Sequence, residues 1–317
     1  MLARTKEQKA TTNEFVKETS TYKIEKNAQN SRIYDITVNE KAVEKFFEKV
    51  RENDITVERL EYTPYERRMV SLYLLEALED EGFGEILRGI IHDRATGGFT
   101  IGVEGVTEET DDFVIYSTAV SHLLGTPNFD AMTGKYYARF TVKDTDDSDS
   151  YLRQAYRLFT LHTDGTFVDE PTDWLIMQKM VEENSVGGES RLLHLDDWEE
   201  LDRFYEDPLA RHKFTYIAPP SKNVTQEVER ETFFKVNDLP CMCFIDQFAY
   251  PESIEQAKYL KDLSDSMEAD PHVVELELPV GRLVALNNMF WLHGRAAFEK
   301  HPELNRELLR QRGRFDS

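Results

Sequence analysis

Residues 158–166 read Leu-Phe-Thr-Leu-His-Thr-Asp-Gly-Thr. Leu158–Leu161 is a short β-rich run, and the polar motif behind it is closed by a glycine that permits a tight turn. Short runs of this kind recur from Tyr136 onward: Tyr136–Val142, Asp173–Met180, Ser190–Leu195, Phe214–Ile217, Met242–Ile245, Val273–Leu278, Leu283–Asn287 and Arg306–Phe315. Turn clusters separate them, among them Val186-Gly187-Gly188, Ala218-Pro219-Pro220 and Pro279-Val280-Gly281. Many short strands with few intervening helices predict a closed or double-layered antiparallel sheet rather than βαβ units. Two helical insertions, Asp196–Tyr205 and Ser253–Met267, interrupt it.

The N-terminal part has a different texture. Lys41–Arg51 and Pro64–His92 repeat apolar residues at three- and four-residue spacing and predict helices, as does Glu108–Leu124, which Gly125 and Pro127 end. Gly97–Val106 between them is β-like. Residues 1–30 are polar and predict a mobile arm. The expected organisation is that arm followed by one domain, residues 31–317, with a helical layer over about 31–125 and a β-core over about 126–317.

The composition excludes several functions. The chain has 317 residues, 40% of them apolar, with 38 Lys and Arg against 60 Asp and Glu and a formal charge of −22. A field of that sign repels a phosphate backbone, which argues against nucleic-acid binding. No run approaches the roughly 18 apolar residues needed to span a bilayer, and Met1–Asn13 lacks a signal-peptide core. Cys241 and Cys243 would point to opposite faces of a strand, which suits reduced thiols and a cytoplasmic location.

His162 and Asp164 are the first candidates for chemistry. Residues i and i+2 of an extended segment share a face, so both side chains can enter one cavity. They supply two ligands of a 2-His-1-carboxylate site for non-haem Fe(II), which leaves three positions open for reactants. His293, in Trp291-Leu292-His293-Gly294-Arg295, is the best third ligand. It follows an apolar run and again precedes a glycine. His-x-Asp alone equally describes a hydrogen-bonded core histidine. His92, His122, His212, His272 and His301 lie in helical or loop contexts, and His194 has an apolar residue, Leu192, two positions before it.

A second feature is Arg306-Glu307-Leu308-Leu309-Arg310-Gln311-Arg312-Gly313-Arg314. As a strand it places Arg306, Leu308, Arg310, Arg312 and Arg314 on one face, where guanidinium forks could hold carboxylates. As a helix end it is a solvated surface, with Glu303 and Glu307 pairing to the arginines. Both readings stand on spacing alone.

The motifs together resemble a known family. His162-Thr163-Asp164-Gly165, Gly187-Gly188-Glu189-Ser190, Trp291-Leu292-His293-Gly294-Arg295 and the arginine-rich strand resemble the taurine-dioxygenase-like Fe(II)/2-oxoglutarate-dependent oxygenases. Within that group the pattern is most similar to the carbon-starvation-induced glutarate 2-hydroxylase family. That similarity extends through Asn128–Gly134, Tyr136–Phe140, Asp147–Gln154, Leu193–Glu199, Ala218–Val224 and Ile245–Phe248. The resemblance implies a double-stranded β-helix (jelly-roll) core with His162, Asp164 and His293 as iron ligands. It implies 2-oxoglutarate as co-substrate, its far carboxylate on Arg310 helped by the Ser190 hydroxyl. It also implies glutarate as substrate, converted with O2 to (S)-2-hydroxyglutarate, succinate and CO2 in lysine breakdown, and a homotetramer. Glutarate needs a cationic clamp of its own, for which Arg312 is the first choice and Arg306 and Arg139 the next; Tyr136 or Tyr137 could add a hydroxyl. A hydroxylase of another small acid, and a jelly-roll binding protein without activity, are the alternative readings.

Overall fold

Asn305–Phe315 is a strand along its whole length. The computed structural model, which describes residues 15–144 and 154–316, pairs it antiparallel with Trp174–Glu183 on one side and with Ala138–Lys143 and Gly125–Pro127 on the other. Ladders on both sides satisfy its backbone groups, which outweighs the local Glu–Arg pairing that a helix would offer. A register shift between Glu307 and Leu308 marks a bulge.

These four strands belong to the second of two compact units, Gly125–Val280 with Asn287–Ser317. The unit's other main sheet runs, in order, Val274–Leu276, Ser190–His194, Trp291–Arg295 and Phe159–His162, all antiparallel. Trp291–Arg295 is buried at every residue, which explains an apolar run with no alternation. Smaller elements are inserted: a three-stranded sheet of Val228–Glu231, Lys213–Tyr216 and Ala249–Tyr250, the hairpin Phe233–Val236/Leu239–Met242, and helices Leu201–Tyr205 and Ile254–Glu268. Ser253 caps the longer helix by accepting from the Gln256 N–H at 3.1 Å. The segment expected as strand Met242–Ile245 is instead the end of that hairpin and a loop beyond it.

The first unit, Met1–Leu124 with Gly281–Leu286, holds the helices Glu40–Glu52, Val57–Tyr62, Pro64–Leu78, Phe83–His92 and Thr110–Leu124. Asn39 caps the first, which buries Ala42, Val43, Phe46, Phe47 and Val50 on one stripe. The expected helix Pro64–His92 is broken at Glu79, whose left-handed φ of 54° ends the first segment. The expectation of a mobile arm over residues 1–30 fails from Lys17 onward. Tyr22–Lys26 pairs with Ile33–Val38, which lies beside Gly98–Gly102, because Tyr22 and Ile24 bury their side chains. Residues 1–14, and Asp147–Arg153 of the resemblance, lie outside the described residues. Among the described residues no helix is long and apolar enough to cross a membrane.

Candidate active site

His162 ends its strand directly opposite His293 in the ladder between Phe159–His162 and Trp291–Arg295. Their ring centroids are 4.1 Å apart. Asp164 follows in a turn that its neighbours fix: Asn288 Oδ1 accepts from the Asp164 N–H at 2.8 Å, and Asn288 Nδ2 donates to the Asp164 carbonyl at 3.0 Å. Gly165 completes the turn at φ +80°, where a Cβ would stand 2.2 Å from Thr172 Oγ1. Gly294 is small for another reason, since a Cβ there would meet the Phe159 carbonyl at 2.5 Å. The glycines behind Asp164 and His293 therefore admit close backbone packing around the site.

Asp164 Oδ1 is 3.8 Å from Nε2 of both His162 and His293, and the three ligand atoms all lie within 4.8 Å of one another. Nitrogen and carboxylate ligands about 2.1 Å from an ion stand about 3 Å apart when cis, so a small side-chain adjustment closes the set on a metal. Burial depresses the protonation of both imidazoles, and each ring lies close to the other, so they rest neutral as metal ligands require. The His162 ring orients by Nδ1 against the Thr160 carbonyl at 2.8 Å, which leaves Nε2 for the ion. Burial opposes ionisation of Asp164, but the guanidinium groups of Arg310 and Arg312 outweigh it and hold the carboxyl well below the usual range. Two neutral imidazoles and one carboxylate on one side of a cavity fit a divalent iron with open positions.

The cavity is lined by strands of both main sheets of the second unit, with Phe140, Met177, Ile245 and Phe248 as apolar lining and Arg295, Arg306, Arg310 and Arg312 as cationic lining. Arg310 Nη1 is 3.0 Å from Asp164 Oδ2, an ion pair rather than an aligned hydrogen bond, and its Nη2 is 2.7 Å from Asp130 Oδ2. Arg312 Nη2 stands 4.0 Å from the same Asp130 oxygen. Arg306 is 2% exposed and stacks over Phe298 at 5.5 Å. Ser190 lines the same cavity as Arg306, and the two also share a second, neighbouring cavity. Ser190 is the cross-strand partner of Arg295, two residues beyond His293, so Ser190 sits roughly 7 Å along the strand from that ligand. Burial pushes the Arg306 guanidinium down to about 10 against the pull of Glu182 and Glu189.

The structure brings His162, Asp164, His293, Ser190, Arg306, Arg310 and Arg312 together around one cavity. It places Arg139 and Tyr137 elsewhere. Arg139 alternates to the outer face of its strand and holds Glu307 through Nη2 at 3.0 Å, while Tyr137 is buried edge-on against Tyr136 at 5.1 Å. Arg314 is exposed. Asp196 follows His194 at the same interval as Asp164 follows His162, so sequence spacing did not separate the two motifs. In the fold His194 packs between Phe290 and Trp291 and accepts from the Asp196 N–H at 3.1 Å, away from the cavity. Sequence reading missed Asn288, which clamps the ligand turn, and Asp130, which joins two arginines. No residue pattern announces either.

Residues 22–315 match the sequence profile of the CsiD family. The chain belongs to the CsiD family. It is 45% identical over 290 residues to the glutarate 2-hydroxylase of Citrobacter koseri, covering 90% of this chain and 88% of that one. It is 44% identical over 298 residues to the glutarate 2-hydroxylase of Klebsiella pneumoniae, covering 93% and 90%. Among solved structures, asparagine oxygenase with Fe(II), 2S,3S-3-hydroxyasparagine and succinate superposes with a TM-score of 0.66 at 16% identity, over 88% of this chain and 93% of that one. The non-heme iron oxygenase OrfP with Fe and alpha-ketoglutaric acid gives 0.67 at 15%, over 89% and 94%. This CsiD-family chain thus shares the fold of non-heme iron oxygenases.

Proposed function

We propose that this CsiD-family protein is an Fe(II)/2-oxoglutarate-dependent dioxygenase that hydroxylates glutarate at C2 to (S)-2-hydroxyglutarate, releasing succinate and CO2. The observation that carries the reading is a His162–Asp164–His293 set opening onto a cavity walled by buried arginines with unpaired donors. Iron bound there with 2-oxoglutarate and O2 supplies the oxidising power for an unactivated C–H bond, which side-chain acids and bases lack. The chain's own part is to hold two similar dicarboxylates in different places. Ser190, opposite Arg295 and two residues along the strand from His293, lines the cavity with Arg306, and the two suit the far carboxylate of 2-oxoglutarate. Arg310, the candidate that the resemblance suggested for that role, stands 3.0 Å from the metal ligand Asp164, at the ion rather than at the far end of a chelated diacid. Together with Arg312 it suits a carboxylate of glutarate. Their forks match planar carboxylates, and burial excludes the water that would compete.

The two antiparallel sheets of the second unit suit the two faces of a double-stranded β-helix. We further infer a homotetrameric, cytoplasmic enzyme of lysine breakdown, for which light scattering after gel filtration tests the assembly. The functional test is an aerobic assay with Fe(II) and 2-oxoglutarate in which succinate and 2-hydroxyglutarate are counted separately. Succinate formation that depends on glutarate, with the S product, is expected. Turnover driven instead by taurine or another small acid would move the substrate, and no succinate under any condition would leave a binding protein.

A further inference from the structure

We propose that Asp130 is the positioning residue of the substrate subsite: its carboxylate gathers Arg310 and Arg312 so that their remaining donors face a carboxylate of the ligand. The proposal rests on the assignment of those two arginines to glutarate. The loop that carries Asp130 leaves the arginine strand beside Arg312, where the Asn128 N–H donates to the Arg312 carbonyl at 2.8 Å, and returns with Ala138 opposite Arg310. Asp130 is therefore suspended over the two residues it joins. Its place in the loop is fixed by its own backbone: its N–H donates to the Lys135 carbonyl at 2.7 Å, and its carbonyl accepts from Gly134 at 2.8 Å. One carboxylate oxygen, Oδ1, accepts from the Met132 N–H at 3.1 Å. The other, Oδ2, is left for Arg310 at 2.7 Å and Arg312 at 4.0 Å.

Two guanidinium groups side by side repel, and a buried carboxylate between them offsets that repulsion. Asp130 is 5% exposed, so little water dilutes the effect. The bridge engages the Nη2 ends of both forks. Nε and Nη1 of Arg312 and Nε of Arg310 are buried without a hydrogen-bond partner, beside the cavity that both residues line. Buried donors left in this state are matched by an acceptor that arrives with the ligand. Asp130 lines the same cavity, but an ionised carboxylate offers an anionic ligand no donor; it acts through the arginines.

Asp130→Asn keeps the oxygen that accepts from Met132 and removes the charge. Calorimetric titration of glutarate into the anaerobic protein holding Fe(II) and 2-oxoglutarate should show binding at least tenfold weaker, roughly 1.4 kcal/mol. Affinity for 2-oxoglutarate should stay within about twofold of the wild type, and this is the readout that a general folding defect would not spare. Asp130→Glu, which restores the charge one methylene further out, should recover part of the loss. Wild-type glutarate affinity in Asp130→Asn, or equal weakening of both acids, overturns the proposal while leaving the enzyme's function intact. Absence of glutarate binding by the wild type overturns the functional reading and this proposal together.

Discussion

Replacing Arg306 by Met removes one charge and keeps most of the apolar stem over Phe298. The residue is 2% exposed, its Nε and Nη1 have no hydrogen-bond partner, and burial already pushes its guanidinium down to about 10. When a dicarboxylate arrives, almost no water competes for those donors. A charge-paired hydrogen bond lost in such a place costs about 2–5 kcal/mol, or roughly thirtyfold to several thousandfold in affinity. The same burial gives the prediction a second sign. Without ligand the charge is poorly compensated, so removing it should stabilise the metal-free protein by about 1–3 kcal/mol even as co-substrate binding fails. The assay is anaerobic titration of the Fe(II)-loaded variant with 2-oxoglutarate, alongside thermal melting without metal and KM values for both acids. Affinity for 2-oxoglutarate within about twofold of wild type, with Arg310→Met losing it instead, would place the co-substrate on Arg310 and refute the reasoning.

The remaining predictions concern the metal, the second acid and a half-buried thiol. Alanine at His162, Asp164 or His293 should abolish metal binding, read by equilibrium dialysis, and coupled turnover, because two ligands leave the geometry undefined; normal hydroxylation by any iron-loaded variant would remove that residue from the set. Replacing His194 should leave bound iron unchanged, since its ring packs on Phe290 and Trp291. Arg312→Ala should raise KM for glutarate far more than for 2-oxoglutarate and let succinate exceed 2-hydroxyglutarate, with little rescue by Lys, whose point charge does not reproduce the fork; equal losses for both acids would assign Arg312 a structural role. Burial pushes the Cys243 thiol up to about 11, although Arg230 opposes the shift. At pH 8 only about one thiol in a thousand is then ionised, so iodoacetamide labelling should be slow and rise roughly tenfold per pH unit up to pH 10; rapid labelling at pH 8 would contradict the apolar setting.

The sequence alone determined which residue types could hold the metal and where the β-rich half begins. His162 and Asp164 share a face because of strand periodicity, and the glycines behind the ligands are local requirements of backbone packing; both are written in consecutive residues. The run Leu283–Asn287 likewise announced buried strand. Local pattern did not determine how distant segments pair. Whether Arg306–Arg314 is strand or helix depends on ladders to Trp174–Glu183 and Ala138–Lys143, contacts more than a hundred residues away that no i,i+4 argument contains. Pairing with Trp291–Arg295 separates His194 from His162, two histidines with identical local spacing, by setting one opposite Trp291 in an aromatic core and the other opposite His293 at the cavity. Tertiary packing also set Arg306 beside Ser190 and bound Arg310 to Asp130, because which guanidinium meets which carboxylate depends on where the chain returns in space. Residues that act through a few long-range contacts, Asn288 and Asp130 among them, carry no periodic signal, and only the tertiary structure decided their partners.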